Sequence, residues 1–184
     1  MVSMTGSILN SPELRPLRQS DTPAVLAAFL SNPDMRRQGD VSSPETAAAY
    51  VTHLLHSDGP HRAFAVVTGD ELVGLVAVTM DAKNRNGWFW YWMREGSRGR
   101  GWTTCAAATI ANWALTAGRL ERLALGHRAN NPASESVARA AGFIHEGTER
   151  EKFLVDGQRI DVLTYSRLRS DAVPTTTELA WQHV

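Results

Sequence analysis

Cysteine is almost absent from this 184-residue chain, in which Cys105 is the only one. A single cysteine excludes a disulfide framework and is typical of proteins that work in a reducing compartment. Long apolar runs are missing too, since no stretch approaches the about 18 residues that a membrane-crossing helix requires. The chain does not open on the basic and then apolar segment that directs secretion. We therefore expect a cytoplasmic protein without a membrane partner.

An excess of charge of either sign is also missing. The chain has 19 acidic and 19 basic residues and a formal net charge of zero at pH 7. Proteins that bind nucleic acids carry a basic face, so nucleic acid is not expected as a partner. The histidines show no metal-ligand spacing beyond the pair His53 and His56, so no metal site is expected either.

Periodicity and turn residues predict one domain with about seven strands and about four helices. The strands are expected near residues 13–18, 61–68, 71–80, 87–93, 122–127, 147–155 and 159–167, and the helices near residues 20–31, 43–55, 101–117 and 133–141. Interleaved helices and hairpins indicate a mixed, mostly antiparallel α/β sheet. The expected division is a polar N-terminal segment (1–11), the domain (12–169) and a loosely attached C-terminal tail (170–184).

The strand near residues 87–93 is unusually aromatic. Its alternation places Trp88, Trp90 and Trp92 on one face and Phe89, Tyr91 and Met93 on the other. Most of these side chains are expected to fill the core. At least one aromatic side chain is expected to line a substrate pocket.

The loop Arg98–Thr103 follows this strand and opens a helix. Its glycines keep bulky side chains away from the first turn, whose N–H groups have no partner within the helix. Together with the positive end of the helix dipole, those groups form a site for phosphate or pyrophosphate. The loop lacks the Gly-Lys-Ser/Thr of an ATP-binding loop and the third glycine of a dinucleotide fingerprint. The alternative is a tight turn without a ligand.

Four motifs in order resemble the GCN5-related N-acetyltransferases, the GNAT superfamily, over residues 12–169. The loop matches the family's Arg-x-x-Gly-x-(Gly or Ala) pattern, with Thr103 in place of its last residue. The run Asn131–Ser134, followed by Gly142-Phe143, is similar to the family's Asn-x-x-Ser…Gly-Phe segment. Leu14–Leu17 and Asp161–Ser166 resemble the branch that acetylates ribosomal-protein N-termini and small amines.

The resemblance implies the acyl-CoA N-acyltransferase fold and acetyl-CoA as co-substrate. It also implies transfer of the acetyl group to a primary amine, on a protein N-terminus or a small molecule, by direct attack. A homodimer is compatible with the family. By resemblance the cofactor-binding residues are Trp92, Met93, Arg94, Arg98, Gly99, Arg100, Gly101, Trp102, Thr103 and Asn131.

The residues that would handle protons are less clear in the sequence. Family members often carry a tyrosine, four residues before the Gly-Phe pair, that protonates the leaving thiolate, and here that position is Ala138. By resemblance Ser134 is the candidate catalytic acid, and water is the alternative. For Glu146, Glu149 and Glu151, considered as bases, a solvated surface role is favoured.

Three further alternatives remain open at this stage. Asn131 could cap the following helix instead of contacting the cofactor. The protein could be a non-enzymatic acyl-CoA sensor or regulatory module, or a phosphate-binding nucleotide enzyme. The sequence does not identify the acceptor amine.

Overall fold

A computed structural model describes residues 11–181 of the chain. The strands are β1 (Pro12–Pro16), β2 (His61–Thr68), β3 (Glu71–Asp81), β4 (Asn86–Met93), β5 (Arg122–Arg128), β6 (Ile144–Val155), β7 (Gln158–Leu168) and β8 (Ala180–Trp181). The α-helices are α1 (Thr22–Leu30), α2 (Pro44–Leu55), α3 (Trp102–Leu115) and α4 (Pro132–Ala140), and short 3-10 turns cover Gln19–Asp21, Pro33–Gln38 and Glu95–Ser97. The predicted N-terminal segment lies, except for residue 11, outside the described residues.

All eight strands form one sheet in the order β6-β7-β5-β4-β3-β2-β1-β8. Neighbours are antiparallel except for β4 with β5 and β1 with β8. Helix α3 makes the crossover between the parallel strands β4 and β5, as parallel neighbours require. The predicted mixed, mostly antiparallel α/β fold is confirmed.

Helices cover both faces of the sheet. Helices α1 and α2 pack on one face around Phe29 and Val51, and α3 and α4 pack on the other around Ile110 and Phe143. Strand β3 is buried on both sides, which explains its almost continuous apolar sequence. The alanines of α3 let this helix approach the sheet closely, and they are fully buried.

Strands β4 and β5 pair at one end only. Their bridges stop at Trp88 and Ala124, and the strands then diverge. On its other edge β4 pairs with β3, where the N–H of Arg94 donates to the carbonyl of Val73 over 2.9 Å. Because hydrogen-bonding direction alternates along an antiparallel strand, the backbone groups of residues 89, 91 and 93 point towards β5; the N–H of residue 89 belongs to the last bridge, and residues 91 and 93 face the gap that β5 has left.

The expectation of a loosely attached tail is wrong for the tail residues that the structure describes. Strand β8 extends the sheet beside β1, and the N–H of Leu179 donates to Thr109 Oγ1 over 2.9 Å. The ring of Trp181 lies edge-on to Phe64 at 5.3 Å and to Trp113 at 5.6 Å between centroids. Burial of an aromatic side chain against α3 therefore attaches this segment to the domain.

The packing of Trp181 predicts a stability effect. Trp181→Ala is expected to lower the free energy of unfolding by about 2 kcal/mol, because it removes apolar burial and two edge-on ring contacts. Val173→Ala is the matched control, since Val173 belongs to the same tail and is 70% exposed; it should change stability by less than about 0.5 kcal/mol. Urea unfolding measures both. Equal effects of the two substitutions would contradict the structural role of Trp181.

Candidate active site

The loop between β4 and α3 takes its shape from two glycines. Gly99 and Gly101 have φ values of +74° and +75°, a left-handed conformation that side chains with a Cβ disfavour. A Cβ at either position would project into open space. The backbone conformation therefore requires glycine here, and the glycines leave the surface of the loop uncovered.

The N–H groups of residues 99–104 point to an anion site. The first backbone bond of α3 joins the N–H of Cys105 to the carbonyl of Gly101 over 3.1 Å. Among the hydrogen bonds between residues 11 and 181, none uses the N–H groups of residues 99–104. Consecutive unpaired donors at the start of a helix bind phosphate groups.

The two arginines of the loop contact the protein as well as the cavity. Arg98 donates through Nε to the carbonyl of Met93 over 3.0 Å and through Nη2 to Met35 Sδ over 3.4 Å. The guanidinium of Arg100 lies 4.9 Å from the centre of the Trp102 ring. Arg98 thus ties the end of β4 to the Pro33–Gln38 turn, and both arginines place positive charge beside the unpaired N–H groups.

A cavity of about 400 Å³ lies against this loop. Its lining contains these predicted site residues: Trp92, Met93, Arg98, Gly99, Arg100, Gly101, Trp102, Thr103, Asn131 and Ser134. Arg94 is not among the lining residues, because its N–H binds Val73 and its guanidinium pairs with Glu71. The side chains of Trp92 and Met93 are buried in opposite cores, so any ligand contact from them comes from the backbone. The role of each residue in binding stays a prediction.

Asn131 caps helix α4. Its Oδ1 accepts a hydrogen bond from the N–H of Ser134 over 3.2 Å, which confirms the capping interpretation. Because Asn131 also lines the cavity, its cap and the predicted contact with a ligand are compatible.

Tyr91 is a functional candidate that is not among the predicted site residues. The sequence predicts it only as one of the aromatic residues of β4. Its hydroxyl donates to the carbonyl of Ser134 over 3.0 Å and lies 2.9 Å from Ser134 Oγ. Burial raises the pKa of Tyr91 to about 12, so the phenol is protonated at neutral pH. Ala138, at the family's tyrosine position, is fully buried. The only sequence signal for Tyr91 was a polar tip among apolar neighbours on its face of the strand.

A second cavity of about 240 Å³ occupies the gap between β4 and β5. It shares Arg37, Gln38, Tyr91, Asn131 and Ser134 with the larger cavity, so the paired hydroxyls of Tyr91 and Ser134 lie where the two cavities meet. Its other lining residues are Trp88, Phe89, Trp90, Leu125, Gly126, His127, Arg128 and Phe153. Aromatic residues of β4 therefore line a cavity, as expected, and binding of a substrate in it stays a prediction.

His127 lines this second cavity and is 7% exposed. Its Nδ1 lies 3.0 Å from the carbonyl of Arg128, and because a carbonyl only accepts, Nδ1 carries the proton. Nε2 is the other ring nitrogen, and it has no partner among the described residues. A buried, unpaired acceptor of this kind is suited to take a proton.

The glutamates considered as bases lie elsewhere. Glu146 pairs with Arg122 at 2.6 Å and Glu149 with Lys152 at 2.6 Å, while Glu151 is exposed on β6. None of the three lines either cavity. Over residues 11–181 no group of histidine, cysteine and carboxylate side chains is arranged to hold a metal ion. Within the same residues no helix is long and apolar enough to cross a membrane.

Residues 13–144 match the family model described as acetyltransferase (GNAT) domain. The chain therefore belongs to the GNAT acetyltransferase family, as the motifs indicated.

Two curated relatives and one solved structure illustrate its place in that family. The ribosomal-protein-serine acetyltransferase of Escherichia coli K12 is 28% identical over 62% of this chain and 65% of its own length, just under two thirds. The putative ribosomal N-acetyltransferase YdaF of Bacillus subtilis 168 is 28% identical over 76% of this chain and 67% of its own. A structure of the ribosomal L7/L12 alpha-N-protein acetyltransferase RimL with coenzyme A has a TM-score of 0.78 and 25% identity, and the match covers 88% of this chain and 95% of that one.

The burial of Tyr91 predicts a loss of stability at high pH. The pKa of a free tyrosine is 10.0 and that of Tyr91 about 12, so the folded state retains the proton that the unfolded state loses in this window. Stability should therefore fall as pH rises from 10 towards 12, and Tyr91→Phe should remove about 1 kcal/mol or more of that fall. Urea unfolding at several pH values measures it. An unchanged slope in the variant would contradict the assignment.

Proposed function

We propose that this protein is an acetyl-CoA-dependent N-acetyltransferase that acetylates a primary amine by direct attack, without a covalent enzyme intermediate. The main support is the arrangement of two cavities that meet at the hydroxyls of Tyr91 and Ser134. One cavity lies beside the glycine loop before α3, and the other is lined by aromatic residues. A reaction between two bound molecules needs this arrangement, because it brings them together in a fixed orientation.

The residues of the larger cavity fit the coenzyme. The unpaired N–H groups of residues 99–104 and the charges of Arg98 and Arg100 suit its pyrophosphate. The backbone groups of Tyr91 and the N–H of Met93, which face the gap, suit the amide groups of its pantetheine arm. Acetyl-CoA supplies a thioester whose carbonyl carbon the amine attacks, so that an amide forms and the thiol leaves.

The side chains at the junction supply the proton transfers. Ser134 Oγ donates a proton to the departing sulfur, the phenol of Tyr91 turns its O–H from the carbonyl of Ser134 to Oγ and passes its proton on, and solvent water reprotonates the phenol. Nε2 of His127 accepts the proton that the ammonium must lose before attack. Backbone N–H groups of β4 that face the gap stabilise the charge that develops on the carbonyl oxygen.

We propose the class of acceptor by analogy with the relatives. Enzymes named for ribosomal proteins are among them, so a protein N-terminus or a small amine is the proposed acceptor. A cytoplasmic location, where both are found, is part of the same proposal. Cys105 is not part of it, because it lines neither cavity.

Cofactor binding is tested at Gly101. Gly101→Ala should weaken binding of CoA about tenfold, about 1.4 kcal/mol, because a Cβ at the loop surface shields the N–H groups from phosphate. Gly157→Ala is the matched control, since Gly157 has a φ of +78° and open space around it but lies in the β6–β7 turn, away from both cavities. Both variants should lose similar stability, and calorimetry with CoA should separate them. Equal affinities would remove the loop from the site.

Catalysis is tested at the hydroxyl pair. Ser134→Ala and Tyr91→Phe should each lower kcat by about tenfold or more, with KM for acetyl-CoA nearly unchanged, because protonation of a leaving group contributes at least that factor. The double variant should lose less than the product of the two effects, since the hydroxyls act through one hydrogen bond.

The assay is release of the CoA thiol with a panel of amines. A wild-type kcat in Ser134→Ala would leave water as the proton source. A protein that binds CoA but releases no thiol above background with any amine would be the non-enzymatic acyl-CoA sensor, and the proposed activity would be wrong.

A further inference from the structure

The smaller cavity is lined by positively charged residues and by no negatively charged residue. Its lining includes the guanidinium groups of Arg37 and Arg128 but no carboxylate. Aromatic rings from Trp88, Trp90 and Phe153 form much of its wall. A neutral protein thus has a positively charged, aromatic cavity at the place where an acceptor would enter.

Arg128 is the source of uncompensated charge in this cavity. Its partly buried guanidinium makes no hydrogen bond or ion pair with residues 11–181, and it lies 5.3 Å from the centre of the Phe153 ring. Arg37, in contrast, pairs with Asp34 at 2.9 Å. Burial, and then the charge of Arg37, lower the pKa of Arg128, while Asp34 and Asp156 act in the opposite direction. Neither carboxylate forms an ion pair with it, and a cation held partly out of water without an ion-pair partner favours an anionic ligand.

This charge also selects among amines. A cationic polyamine would bring further positive charge towards Arg128 and would find no carboxylate in the lining. An acceptor with an anion beside its amine would instead form a charge-assisted hydrogen bond to the guanidinium. The same positive field disfavours the ammonium form and so promotes the free amine that attacks.

We propose that the acceptor carries an anionic group, a carboxylate or a phosphate, next to its primary amine, and that Arg128 binds this anion while Trp88 and Trp90 contact the apolar part. The inference rests on the proposed function and specifies the substrate class of the same site. It makes Arg128 a specificity-determining residue.

The test compares matched acceptors in the thiol-release assay. Phenylalanine is compared with phenylalanine amide, phosphoethanolamine with ethanolamine, and a seryl-aspartyl peptide amide with its seryl-asparaginyl analogue, and spermidine serves as the polycation. In at least one pair the anionic member should have a kcat/KM about tenfold higher, as expected for a hydrogen bond between charged groups. The pair that shows the preference identifies the source of the anion: a free amino acid, a phosphorylated amine or an acidic peptide.

Variants of Arg128 test whether this residue causes the preference for anionic acceptors. Arg128→Gln should abolish it, and Arg128→Lys, which retains the charge, should keep most of it. Arg150→Gln is the matched control, because Arg150 is exposed on β6 and lines neither cavity, yet its loss changes the net charge equally. Thermal melts show whether each variant is folded.

The results that would overturn this inference differ from those that would overturn the proposed function. Preference for spermidine or for the neutral members, or a preference that survives in Arg128→Gln, would overturn this inference and leave the acetyltransferase proposal intact. Absence of thiol release with every amine would overturn the proposed function and, with it, the inference.

Discussion

The site depends on the divergence of β4 from β5 after Trp88 and Ala124. A sheet that stayed paired here would have no gap, and the backbone groups of β4 would bond to β5 instead of facing a cavity. Helix α3 follows β4 along the chain, so its start, with the unpaired N–H groups, lies at the end of β4 where the strands have diverged. Arg98 donates to the carbonyl of Met93 and so holds the end of the open strand.

The packing on the two faces of the sheet keeps this gap rigid. Trp92 is buried in the core under α1 and α2, where its Nε1 donates to Tyr50 over 3.1 Å. Met93 is buried in the opposite core under α3. Consecutive residues of β4 are thus anchored on both faces. A strand held in this way can leave one edge unpaired without collapsing, and preorganised backbone donors at that edge are what acyl transfer needs.

The positions of the charges and of the hydroxyl groups at the cavities depend on tertiary structure. The net charge is zero, yet the two cavities are lined by Arg37, Arg98, Arg100 and Arg128. The charge that a substrate meets in the cavities therefore differs from the net charge of the chain. The phenol where the two cavities meet likewise comes from Tyr91 on β4, while Ala138 occupies the helical position where the family often has a tyrosine.

Much of the fold, and the anion-binding loop, could be predicted from the sequence because their causes are local. Alternation, caps and turn residues determine strands, helices and hairpins, and glycines at Gly99 and Gly101 with a helix behind them determine a row of free N–H groups. The remaining features could not be read in this way, because they depend on residues far apart in the chain. Tyr91 meets Ser134 across 43 positions, Trp181 packs on Phe64, and the guanidinium of Arg128 lies near the ring of Phe153 without an ion pair to the described residues. The sequence by itself determined most of the secondary structure and the glycine loop before α3, whereas only tertiary packing decided which hydroxyls meet between the two cavities, how β8 joins the sheet and which guanidinium has no ion pair.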